Sequence, residues 1–277
     1  EQVTEAGVKA VFTSADLTEA QRRAMEAAGT AVIRVSDTLI ALQALSAWHR
    51  NRLSLPLIGV TGSVGKTTTR EMIAAALSAK YRVFKTKANH NSQIGVPLSV
   101  WQMDDKHTLG IFEAGISQPD EMEKLQRIIR PTIGMITNIG EAHQENFASS
   151  TQKCMEKLSL FSDCDIVIYN VDDEFIAHTL DKACLSHKAV GWSRKDSDAP
   201  LYIERIHKKQ SSTEIHCVML NLEQTYEIPF TDDASIEDVI HCIALMLYLK
   251  PTSLRNRKVF AGLEPVAMRL EVKEGIN

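Results

Sequence analysis

Residues 58–72 read IGVTGSVGKTTTREM. The apolar run Leu57, Ile58 and Val60 enters a turn bearing Gly62 and Gly65, and Lys66 with three threonines opens a segment of helical spacing. A strand that feeds a glycine turn at a helix N-terminus gathers backbone N–H groups and the positive end of the helix dipole around one point, which suits an anion. The strict phosphate-loop pattern G-x-x-x-x-G-K-[ST] asks for glycine where Val60 stands, so the match is the shorter G-x-x-G-K-T of Gly62 to Thr67. Its chemistry survives the shortening. Lys66 can reach the β- and γ-phosphates of a nucleotide, and the Thr67 hydroxyl suits Mg²⁺. Thr61, Gly62, Ser63, Val64, Gly65, Lys66, Thr67 and Thr68 are the expected phosphate-side contacts. The plainer alternative is a capped glycine turn with a solvated lysine.

Outward from this loop the chain alternates strand and helix. "LPLIGVT" precedes the helix "TTTREMIAAALSAK", whose Met72, Ile73, Ala76 and Leu77 form an apolar stripe. "TLGIFEAG" precedes "DEMEKLQRII", "TIGMITNIG" precedes "TQKCMEKLSLF", and "CDIVIYN" precedes "DDEFIAHTLDKA". Continuous apolar strands between amphipathic helices predict an α/β fold, a mostly parallel sheet covered on both faces. Residues 200–230 change to alternating apolar and polar positions, which predicts a small antiparallel sheet, and "SIEDVIHCIALMLYL" reads as a last helix. Before the loop, "VKAVFTS", "LTEAQRRAMEAAG", "TAVIRVS" and "DTLIALQALSAWHRNRL" read as short αβ elements, with a boundary near residues 52–56, since Pro56 starts the next strand.

The 277 residues allow more than one domain. A net charge of −4 gives no basic footprint for nucleic acid, so none is expected as a partner. The five cysteines are odd in number and hold no C-x-x-C pair, as expected of reduced thiols in the cytoplasm. No apolar run approaches the ~20 residues of a membrane span. The chain does not start with Met, so its first residue reads as a trimmed end. A monomer is expected.

Three further residues stand out. Glu113 ends the strand "LGIFEAG", where a buried carboxylate is costly unless it meets a cation or donor. His143 lies in the loop "TNIGEAHQENF", and Lys157 on the helix that follows. Singly, a loop histidine is ordinarily a surface group and a helical lysine a solvated one. Together, after a G-x-x-G-K-T loop, the three resemble the ATP-dependent Mur ligases of peptidoglycan synthesis. In that family the lysine matching Lys157 is carbamylated, so the resemblance implies that Glu113, His143 and a carbamate on Lys157 hold a second Mg²⁺ beside the one at Thr67. A protonated lysine would repel that ion, whereas a carbamate offers it oxygen.

"GSVGKTTTREM", "NHNSQIGVPLSV" and "DTLIALQALSAWHR" resemble the branch of the family that adds D-alanyl-D-alanine to UDP-N-acetylmuramoyl-tripeptide. That resemblance implies two substrates joined through an acyl phosphate at the expense of ATP. It places Asn89 and Asn91 near the phosphate and muramyl-peptide groups. The family's adenine-side H-N-x-x-N falls on residues 237–241, with Asp238 and His241 in place of both asparagines, and Arg269 matches a ribose-contacting arginine. Ser159 stands where the family often has glutamate. Three domains are implied: residues 1–54 as the later part of the UDP-substrate domain, 55–266 as the ATP-binding domain, and 267–277 as the start of a C-terminal domain. A fusion to an alanine racemase, found in some members, remains open. So do two other readings, a sibling ligase or folylpolyglutamate synthetase, and a P-loop switch that hydrolyses nucleotide without a peptide substrate.

Overall fold

The computed structural model describes residues 2–87, 89–140, 144–249 and 258–264. The chain opens with α1 (Gln2–Glu5), β1 (Ala10–Thr13), α2 (Glu19–Ala27) and β2 (Ala31–Arg34), and β1 and β2 pair in parallel as a two-stranded sheet. Thr18 caps α2 with a reciprocal box, its hydroxyl accepting from the Gln21 N–H while the Gln21 side chain accepts from the Thr18 N–H. Asp37 starts α3 (Thr38–Asn51) by accepting from the Leu39 and Ile40 N–H groups, as the sequence predicts. Near its end, the buried Arg50 donates to the Ile129, Leu53 and Leu55 carbonyls, which fastens this helix to the body that follows.

That body is built on nine strands: β3 (Leu57–Thr61), β4 (Val83–Lys85), β5 (Leu109–Glu113), β6 (Ile133–Ile136), β7 (Ile166–Asn170), β8 (Ala189–Ser193), β9 (Leu201–Lys208), β10 (Thr213–Met219) and β11 (Leu222–Ile228). Their order is β11-β10-β9-β8-β7-β6-β3-β5-β4. The strands from β4 to β9 in this order pair in parallel, and β9, β10 and β11 are antiparallel. The antiparallel segment expected over 200–230 is present and continues the same sheet through the β8–β9 pair. Strand β8 was not expected. Its five residues carry Gly191 in the middle, where a Cβ would lie 2.0 Å from a Val171 methyl.

Helices α4 (Lys66–Leu77), α5 (Gly95–Val100), α6 (Met122–Ile129), α7 (Ser150–Leu158), α8 (Glu174–Lys182), α9 (Asp233–Leu249) and α10 (Lys258–Ala261) cover the sheet. One core holds Met72 and Ile73 of α4, Ile240 and Ile243 of α9, and Ile58, Ile111 and Ile168 of the strands. The other holds Val96 of α5, Leu125 of α6, Leu158 of α7 and Ile176 of α8 against Leu57, Phe112 and Val167. Adjacent strand residues therefore face opposite cores, which explains the unbroken apolar runs. Strand β3 lies between β5 and β6, where the chain changes its direction of winding, and ligands of open α/β sheets bind at such a place.

Candidate nucleotide and metal site

Residues 62–65 leave β3 and become helix α4 at Gly65, whose φ of 83° is left-handed. Gly62 has φ 145°, and a Cβ on it would lie 2.0 Å from the Thr137 hydroxyl. Both positions require glycine. The loop is held from β6. The Ser63 N–H donates to the Asn138 carbonyl at 2.8 Å and the Val64 N–H to the Asn138 side chain at 3.0 Å. The Asn138 amide and the Thr137 hydroxyl both return to the Val64 carbonyl. The Thr61 hydroxyl donates to the Ala114 carbonyl across β5.

The parallel register sets Val60 beside Glu113, so a carboxylate at the end of β5 arrives next to the start of α4. Glu113 is 1% exposed. Its Oε2 accepts from the Thr67 hydroxyl at 2.8 Å and from Arg70 Nη1 at 3.2 Å, and its Oε1 accepts from Asn91 Nδ2 at 2.7 Å. The price of burying this charge is met by a guanidinium, an amide and a hydroxyl. Sequence reasoning missed Arg70. A charged residue one helical turn past Lys66, within an otherwise buried helix, was the available signal, because such a residue needs an anion beside it.

Lys66 Nζ donates to the Gly62 and Ser63 carbonyls, each at 3.1 Å. Lys157 Nζ, on α7, donates to the same Gly62 carbonyl at 3.1 Å. Lys153, one turn earlier on α7, is buried and donates to the Gly140 carbonyl. Burial, with the nearby charges of Lys66 and Lys153, pushes the Lys157 amine down to about 8. Lys66 and Lys157 thus converge on the loop from two helices, with Lys153 donating to Gly140 nearby, an arrangement that attracts an anion.

The structure brings Lys66, Thr67, Glu113, Asn91 and Lys157 together. Asn89 is exposed at a left-handed φ of 64°, which asparagine tolerates. Thr68 is buried on α4 and Val64 is exposed. Asp238 is buried, accepts from the Thr69 hydroxyl at 2.9 Å, and lies against Gly65, and burial pushes its carboxyl up to about 7. His241 is fully buried, its Nδ1–H donating to the Glu237 carbonyl and its ring set edge-on to Trp192 at 5.4 Å. Burial pushes its imidazole down to about 4. Asp238 therefore supports the phosphate loop from behind, and neither residue is brought to the cleft surface. His143 and Arg269 lie outside the described residues, as do 267–277. A cavity of about 490 Å³ opens beside the loop, bounded by Lys66 and Lys157, Asn91, Ile94 and Glu121.

Sheet order and loop together define a P-loop α/β protein. The sequence pattern of the Mur ligase middle domain matches residues 60–246, and the chain belongs to the Mur ligase family. It is 31% identical over 275 residues to the UDP-N-acetylmuramoyl-tripeptide–D-alanyl-D-alanine ligase of Bacillus subtilis, covering 98% of this chain and 57% of that protein. It also resembles MurF of Acinetobacter baumannii, with a TM-score of 0.83 at 23% identity, covering 99% of this chain and 58% of the other. MurF ligase from Thermotoga maritima, solved in complex with ADP, gives 0.82 at 22%, covering 96% and 60%. The chain thus spans little more than half the length of these relatives. Among the described residues, no helix is long and apolar enough to cross a membrane.

Proposed function

We propose that this chain carries the nucleotide-binding core of an ATP-dependent amide ligase that joins D-alanyl-D-alanine to UDP-N-acetylmuramoyl-tripeptide. The observation that carries the reading is the meeting of Lys66 and Lys157 on the Gly62 carbonyl, beside the Thr67–Glu113 pair. The Bacillus subtilis relative bears that activity in its name. Residues 1–54 would belong to the UDP-substrate domain, 55–266 to the ATP-binding domain, and 267–277 to the start of a C-terminal domain.

In this reading the backbone N–H groups of the loop and the N-terminus of α4 hold the nucleotide phosphates. Lys66 turns from the Gly62 and Ser63 carbonyls to the β- and γ-phosphates. The terminal phosphoryl group passes to the peptide carboxylate, giving an acyl phosphate and ADP, and the amine of D-alanyl-D-alanine then displaces phosphate. Each step crowds negative charge, so fixed cations do most of the work, and removal of one such stabiliser costs ~3 kcal/mol, about a hundredfold in rate.

Thr67 Oγ1 and Glu113 Oε2 are oxygen donors of the kind Mg²⁺ prefers and would hold it at the phosphates. Among the described residues no cluster of three His, Cys, Asp or Glu side chains gathers. A second ion would therefore draw on Glu113, on His143, and on an oxygen that Lys157 supplies only as a carbamate. Bound there, such ions would screen the two anions that must approach each other. Burial of the Lys157 amine, which raises its neutral fraction, supports that modification.

The test is ADP release and product formation by the full-length protein with ATP, the tripeptide nucleotide and D-alanyl-D-alanine, each omitted in turn. Dependence on all three supports the reading. Equal ligation of a glutamate or folate pair would assign a sibling activity, and phosphate release without any carboxylate would assign a switch.

A further inference from the structure

The strand ends opposite the phosphate loop carry a second positive centre. Arg50, near the end of α3, and Arg130, which closes α6, wall a cavity of about 220 Å³ with Asn51, Thr132 and Asp163. Arg50 is buried, and its partners are the Ile129, Leu53 and Leu55 carbonyls. These dipoles leave its charge without a counter-charge and its fork with donors to spare. Arg130 Nη1 donates to Asn51 Oδ1 at 2.8 Å, which sets the second guanidinium near the first. Burial, and then the charge of Arg130, push the Arg50 guanidinium below its ordinary value. Among the described residues neither arginine forms an ion pair. Asp163 lies on the same wall, with its Oδ2 taken by Gln126 Nε2 at 2.8 Å. Arg130 also holds a left-handed φ of 47°, which glycine or asparagine ordinarily supplies at a helix end. An exposed arginine kept there against its backbone preference implies a use for its side chain.

We propose that Arg50 and Arg130 form a second anion site, which takes a small tetrahedral oxyanion of the phosphate class. A planar carboxylate is used up by one bidentate fork, whereas a tetrahedral anion offers oxygens to both forks at once. Asp163 limits the negative charge the wall accepts, which favours one small oxyanion over a polyphosphate. The two guanidiniums come from either side of the chain boundary near Pro56, Arg50 from α3 and Arg130 from the body. An anion between them screens their repulsion and bonds both, so its occupancy ties α3 to the body. The site is independent of the ligase reading, because it lies at the other end of β3 and β6 from the phosphate loop.

The experiment is equilibrium dialysis of the full-length protein against radiolabelled inorganic phosphate at fixed ionic strength. It uses Lys66→Ala, which removes a cation of the phosphate loop, and the same protein carrying in addition Arg130→Gln or Arg130→Lys. Arg130 is exposed, so its replacement leaves the fold intact. Lys66→Ala is expected to retain bound phosphate. Arg130→Gln is expected to weaken that binding about tenfold, the loss of one charge-assisted contact, and Arg130→Lys to recover part of it. Displacement of the label by glycerol 3-phosphate supports the site and assigns it to the phosphoryl group of a larger molecule. Failure of that ester to displace it, with binding still dependent on Arg130, supports the site and assigns it to the free ion. Acetate that displaces the label as well as unlabelled phosphate does overturns the tetrahedral ligand. Undiminished binding with Arg130→Gln, or no binding by Lys66→Ala, overturns the site by leaving the phosphate loop as the place where phosphate binds. Turnover, which tests the ligase reading, is untouched by any of these outcomes.

Discussion

Lys66 and Lys157 donate to one and the same carbonyl oxygen, that of Gly62. Two cations from separate helices share a weak, neutral acceptor on the turn that a phosphate group would occupy. Like charges this close are tolerated because each ammonium donates to a carbonyl dipole. The consequences can be measured residue by residue.

Lys157→Ala should lower turnover of the full-length enzyme about a hundredfold or more, the loss of one fixed stabiliser in the site. Short carboxylic acids added to this variant should restore part of the rate by supplying the missing oxygen. A carbamate carbon resonance in wild type under ¹³C-labelled CO₂, absent from the variant, reads the modification directly. Near-normal turnover of the alanine variant in CO₂-free buffer would remove the carbamate from the mechanism.

Arg70 and Glu113 form an ion pair in which both side chains are almost wholly buried. Arg70→Met should destabilise the protein by roughly 3–5 kcal/mol, because it leaves a buried carboxylate without its cation. Pairing it with Glu113→Gln should recover a large part of that loss in denaturant melts. Strict additivity of the two changes would show that the pair is not coupled.

The pH dependence of stability separates Lys157 from Asp238. The folded Lys157 amine lies near 8, below its ordinary 10.5, so between those values the unfolded chain binds more protons and stability rises with pH. Below pH 8 both states are protonated and the burial penalty is present in full. Each unit across the window contributes up to ~1.4 kcal/mol, and Lys157→Met should flatten it.

Asp238 works in the opposite sense. Its folded carboxyl lies near 7, above its ordinary 3.8, so in that window the native state binds the extra proton and stability falls as pH rises. Asp238→Asn keeps an acceptor for the Thr69 hydroxyl and cannot ionise. The variant should gain on wild type as pH climbs from 4 to 7 and hold a constant margin above it. Urea midpoints across that range provide the readout, and parallel curves would show that the carboxyl is ionised in both states.

The phosphate loop and the strand-end carboxylate were legible in the sequence because each depends on local chemistry. Glycine at a strand-to-helix turn and a charge at the end of an apolar run signal themselves without knowledge of the fold. The strand order was not legible, and with it went β8, a short segment whose central Gly191 carries no apolar signal. Asn138 and Thr137 escaped notice for a related reason. They hold the loop only because β6 happens to neighbour β3. Asp238 and His241 were placed near the adenine only because the family's H-N-x-x-N signature falls on residues 237–241. Position does not reveal that His241 faces Trp192 and the core.

Gly65 is constrained twice over. Its left-handed backbone disfavours any side chain, and a Cβ there would lie 2.4 Å from an Asp238 oxygen. Clearing the clash by trimming Asp238 would leave the backbone cost in place, and easing the backbone would leave the clash. A replacement at this position therefore meets two separate obstacles, and no lone second-site change relieves both.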